Sequence, residues 1–135
     1  MPQIAETPFG YEIVFESTVD RDTARRMLEE FRRTVRPRDG GFTVLVDLRA
    51  TRSFTAEAQE LVKQTILICR EAGMGRNAVV THSVIAGLQA RRMVKETGIA
   101  QALRFIDGGL HPDWRARALA WLTDGIEPGE LDETE

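Results

Sequence analysis

The chain holds a single cysteine, Cys69, in 135 residues, so no intrachain disulfide framework supports it and a reducing compartment suits it. Its two histidines, His82 and His111, fall in unrelated stretches, and no pair of residues has zinc-ligand spacing. No apolar run approaches the about 18 residues needed to cross a bilayer. The opening MPQIAETPFG lacks the basic head and apolar stretch of a signal peptide. These absences predict a cytoplasmic protein without membrane insertion. Glycine-rich phosphate loops are missing too: Gly73-Met74-Gly75-Arg76 ends a helix instead of opening one. No Gly-x-Ser-x-Gly elbow surrounds Ser53 or Ser83. Neither a metal nor another cofactor is expected.

Excess charge of one sign is also lacking. The net charge is -3, and five acids lie in residues 127–135, EPGELDETE. Without them the body has 16 acids against 18 bases, too small a surplus for a nucleic-acid footprint. That last segment has no apolar periodicity, and we read 127–135 as a disordered acidic tail after a single domain over 1–126. Apolar residues at 42% and charged residues at 29% describe an ordinary soluble globule. A chain of this length buries about two thirds of its unfolded surface and needs no staple.

Strands and helices alternate along the body. YEIVFES (11–17) alternates as a half-buried strand, with Pro8-Phe9-Gly10 turning back a short strand at 2–7. Asp20 caps a helix with the stripe Ala24, Met27, Leu28, Phe31 and Val35, stopped by Pro37 and Gly40-Gly41. FTVLVDL (42–48) reads as a central strand covered on both faces. Thr55 caps a helix with the stripe Ala58, Leu61, Val62, Thr65, Ile68, Cys69 and Ala72. A strand follows at 76–81, then a helix at 84–97 capped by Ser83 and ended by Gly98. A strand at 102–106 leads to a last helix, with Pro112 in its first turn and the stripe Trp114, Ala118, Trp121 and Leu122. This order predicts an α/β fold: a four- or five-stranded mixed sheet, largely parallel, with four helices.

In such a sheet the loops after parallel strands open on one edge, where ligands bind. That edge is expected to gather Asp47, Arg49, Arg52, Ser53 and Thr55 with His82 and Ser83. Helix N-termini at Thr55 and Ser83, beside two arginines, suit an anion, while plain capping explains the same residues. Asp47, His82 and Ser83 or Ser53 hold the parts of a hydrolytic triad, but a capping serine spends its oxygen on a backbone donor. Arg91 and Arg92 interrupt the apolar pattern of Val84, Ile85, Leu88 and Val94. This fits either a protein interface or long side chains laid over the core.

VLVDLRATRSFTAEAQELV resembles the segment that defines STAS domains, the family of bacterial anti-sigma-factor antagonists. VLVDLR, RNAVVTHSVIAGLQARRMVKETG and LRFIDGGLHPDWRARALAWL together resemble the SpoIIAA-like, STAS/SEC14 group across about residues 10–124. The resemblance implies this α/β fold and a regulatory, protein-binding role. Regulatory members carry a phosphorylatable serine at the start of the helix after the Asp-Leu strand. Here Ala56 and Glu57 stand there, so no phosphorylation cycle is carried over and Glu57 offers at most a constant negative charge.

The expectation is a non-catalytic binding module acting on a protein partner or as a homodimer. Its working edge is Asp47, Arg49, Arg52, Ser53, Thr55, Glu57, His82 and Ser83, with Arg91 and Arg92 alongside. A carrier of a small anionic or lipid-like ligand is the alternative, requiring a cavity between sheet and helices. Hydrolysis stands third.

Overall fold

Strand β2 (Gly10–Val19) turns Tyr11, Ile13 and Phe15 into the core, as the alternation predicts. It begins at a glycine because the backbone there has φ +155° and a Cβ would lie 1.9 Å from the carbonyl oxygen of Thr43. The computed structural model describes residues 3–129. In chain order, β1 (Gln3–Glu6) and β2 lead to α1 (Arg21–Thr34), β3 (Phe42–Phe54), α2 (Ala56–Glu71) and β4 (Met74–Thr81). Then come α3 (Val84–Thr97), a 3-10 turn (Ala100–Ala102), β5 (Leu103–Asp107) and α4 (Trp114–Asp124). The sheet order is β1-β2-β3-β4-β5, with β1 antiparallel to β2 and every other pairing parallel. This is the expected α/β architecture, with five strands and four helices.

Three successive crossovers step the same way across the sheet and lay α1, α2 and α3 on one face. Val44 and Leu48 of β3 join Phe31, Ala58, Cys69, Ala90 and Met93 there. On the other face Leu45, Ala78, Val80 and Ile106 pack against Ala118, Trp121 and Leu122 of α4. The Trp121 indole N–H donates to the Asn77 carbonyl at 3.1 Å, so the buried ring keeps its polar atom satisfied.

Three differences from the sequence reading bear on the site. β3 does not stop at residue 48 but runs to Phe54, paired with β2 as far as Val19, whereas β4 ends at Thr81 beside Leu48. The β2–β3 pair therefore overhangs the rest of the sheet. Pro112 lies before the first turn of α4, whose N-cap is Asp113. The packed body also extends past residue 126: Glu127 pairs with Arg104 at 2.7 Å, and the Pro128 carbonyl accepts from Arg117 at 2.9 Å. The remainder of the acidic segment, 130–135, lies outside the described residues. No helix among the described residues is long and apolar enough to cross a membrane.

Candidate functional site

The overhang of β3 leaves backbone groups on the side where β4 has ended; Ser83 and Gln89 bond those of Arg52 and Phe54, and Gln59 of α2 shares the Phe54 carbonyl. The Ser83 hydroxyl donates to the Arg52 carbonyl at 2.8 Å and accepts from the Ala86 N–H at 3.2 Å. Gln89 accepts from the Phe54 N–H at 2.7 Å and donates to the Phe54 carbonyl at 3.1 Å. Arg52, His82 and Ser83 thus share one rim, which the loop after β5 also reaches. A Cβ on Gly109 would lie 2.5 Å from Nδ1 of His82, and Asp107 accepts from the N–H groups of Gly109 and Leu110. Ser53 is half-buried on the overhang, Thr55 caps α2 through the Ala58 N–H, and Glu57 pairs with Arg21 at 3.7 Å.

Asp47 and Arg49 lie within β3 on the face toward α4, at the level where β4 ends, since Asp47 pairs with Val80 and Leu48 with Thr81. Arg49 borders the same loop as His82: a Cβ on Gly108 would lie 3.0 Å from its Cγ. Asp47 is 7% exposed. Its Oδ1 accepts from the Arg49 backbone N–H and Nε, each at 3.0 Å, and its Oδ2 accepts from Nη2 at 2.9 Å. The guanidinium lies 4.1 Å over the Trp114 ring. Arg115 stands 6.0 Å from that ring and holds Glu12 at 2.8 Å. Hydrogen bonds to Asp47 and Glu12 raise the pKa values of Arg49 and Arg115, respectively, above the ordinary arginine value. This network ties β2 and β3 to α4 and commits three of the about four acceptor sites of Asp47 to Arg49.

The Ser83 oxygen is likewise committed to two backbone partners, so the Asp47, His82 and Ser83 parts of a triad are not assembled. Among the described residues, no group of three or more His, Cys, Asp or Glu is placed to hold a metal ion.

The solvent side of α3 is the unusual surface. Ala86, Ala90, Met93, Val94 and Thr97 face the core. Val84, Ile85 and Leu88 point the other way, at 77%, 59% and 63% exposure. At about 100° per residue, Val84, Ile85, Leu88, Arg91, Arg92 and Lys95 form one outer stripe. Its first half is apolar and its second half cationic. Leu110, 70% exposed, follows Gly109 at the His82 end of the stripe. Arg91 lies 4.1 Å over the Phe105 ring, while Arg92 bonds Gln59 and faces Glu96 at 3.9 Å. Both arginines therefore lie over neighbouring side chains and border the exposed apolar turns. Sequence reading missed Leu110, Gln59 and Gln89. It had in hand the signal for the outer stripe, since a helix with apolar residues on two opposite sides cannot bury both against one sheet.

Between α2, α3 and the sheet lies a cavity of about 80 Å³. Phe15, Leu48, Val62, Ile66, Cys69 and Met93 are among its walls, which expose no polar atom to it. From α2, Val62, Thr65, Ile66 and Cys69 line it. Burial pushes the Cys69 thiol up to about 12.

No family model, curated protein or solved structure matches the chain.

Proposed function

We propose that this chain is a STAS-like, non-catalytic binding module that engages another protein through the outer face of α3 and the adjoining rim at Arg52, His82 and Leu110. The observation that carries the reading is the exposure of Val84, Ile85 and Leu88 in the first turns of a helix whose opposite side is already in the core. Clustered exposed apolar chains with a polar border mark interaction surfaces. Each such side chain contributes about 1.5–3 kcal/mol when a partner covers it fully. Arg91 at the border suits an interface, where arginine is enriched. Ser83 and Gln89 hold α3 on the overhang, so the face is presented rigidly. The rim grips without bond-making chemistry.

The test compares the intact chain with Leu88→Asp as immobilised baits in extract of the cells that express it, read by quantitative mass spectrometry. A protein enriched at least about tenfold on the intact chain and lost on the folded variant supports the reading. Identical recovery on both baits contradicts it.

A second reading, a carrier of a small ligand, is favoured by the cavity beneath α2. Its walls select a neutral apolar molecule and give an anion nothing to bond. A larger apolar cavity of about 150 Å³ in another protein stays dry and takes benzene, so this one suits a smaller occupant.

A further inference from the structure

We infer that the occupant of the α3 face is an acidic amphipathic helix of a partner protein, lying along the outer stripe with apolar anchors on Val84, Ile85 and Leu88 and acids over Arg91 and Lys95. This inference rests on the protein-binding reading above and specifies the partner's chemistry. The stripe from Val84 to Lys95 spans about 16 Å, three helical turns, the reach of a short helix laid in parallel or antiparallel register. Its two halves differ in chemistry, so an occupant must be apolar at one end and anionic at the other. Arg52, Arg91 and Lys95 form no ion pair among the described residues. Glu96 is already held by Lys63 at 2.7 Å. Asp107 lies at the opposite end of the stripe, where it accepts from the N–H groups of Gly109 and Leu110. At the Arg91 and Lys95 end the charge left to answer is positive.

A second copy of this chain fits less well. Antiparallel pairing of two α3 helices about Leu88 sets Arg91, Arg92 and Lys95 of one copy toward the Arg52 end of the other, and parallel pairing stacks like charges directly. An anionic membrane also fits less well. Helices that lie in a bilayer interface flank their apolar face with cations along its length and use Trp or Phe, whereas here the cations follow the apolar turns and the stripe has no aromatic residue.

The experiment titrates the full chain into a fluorescent synthetic helix of about 15 residues carrying leucines in its first turns and glutamates in its last, and reads anisotropy. A matched peptide with lysine for glutamate and vesicles containing phosphatidylserine are run beside it. The glutamate peptide is expected to bind, more tightly at low salt, and to lose at least about tenfold in affinity with Leu88→Asp. The pair Arg91→Glu and Lys95→Glu should invert the preference toward the lysine peptide. Equal binding of the two peptides overturns the inference, as does capture by vesicles through Leu88. Loss of glutamate-peptide binding while Leu88-dependent protein enrichment persists removes only the acidic-helix chemistry. Failure of both removes the docking face itself.

Discussion

At the scale of single residues, environment decides what each reactive group can do. Cys69 sits in the apolar layer beneath α2 with its thiol pushed up to about 12. A thiol so raised stays protonated and is a poor nucleophile. Native protein at pH 8 is expected to resist iodoacetamide and to react once urea unfolds it; alkylation of the folded protein at the rate of a free thiol would contradict the burial. Cys69 was legible as a small core residue from its place on the α2 stripe. Asp47 was legible as a special carboxylate, but the continuation of β3 beyond it was not, because the composition of Ala50-Thr51-Arg52-Ser53 hides it. Those residues lack an unbroken apolar run because the overhang has no β4 beside it, so alternation there carries little burial signal.

At the scale of elements, α3 combines two tasks. Its inner side anchors it: Ser83 caps the first turn and ties it to Arg52, and Gln89 bonds both polar backbone groups of Phe54. Its outer side carries apolar residues that contribute nothing to the core. Urea unfolding separates the two. Ser83→Ala is expected to lower stability by about 1–2 kcal/mol through the lost cap and the unpaired carbonyl, while Leu88→Ser should change it by no more than about 0.5 kcal/mol. A large loss from Leu88→Ser would mean that the face is part of the folded core. The helices were the most legible elements, because Asp20, Thr55 and Ser83 each cap one as their residue types predict. Which side of α3 meets the sheet was not legible, since both sides carry apolar residues and only the packing of Ala86, Ala90 and Met93 decides it.

At the scale of the whole molecule, exposed carboxylates couple stability to acid. Asp20 is lowered below its ordinary value by the Thr23 N–H, Glu30 by Arg33, Glu96 by Lys63, Asp113 by Arg117 and Glu127 by Arg104. A depressed carboxyl binds fewer protons in the folded than in the unfolded state, so its contribution is present above the ordinary value and is lost as pH falls through the folded value. The urea midpoint is therefore expected to drop as pH falls below about 4.5, and Glu96→Gln with Glu127→Gln should flatten that limb. An unchanged slope would show that these pairs are screened out in solution.

The order of the elements was legible throughout, because strand and helix periods alternate cleanly from Tyr11 to Leu122. Around the end of β4, Arg52 meets Ser83 through its carbonyl, and Arg49 and His82 border the loop at Gly108 and Gly109, while the Arg49 guanidinium lies over Trp114. Strand ends depend on pairing partners far along the chain, which local patterns do not encode. The claim on which the functional account depends is that partners meet this molecule on the outer side of α3. The most direct measurement places a photo-crosslinking amino acid in turn at Leu88 on α3, Arg32 on α1 and Arg115 on α4, and compares covalent adducts in native cells. The account predicts a discrete protein adduct from position 88 alone. Adducts from 32 or 115 with none from 88 would contradict it.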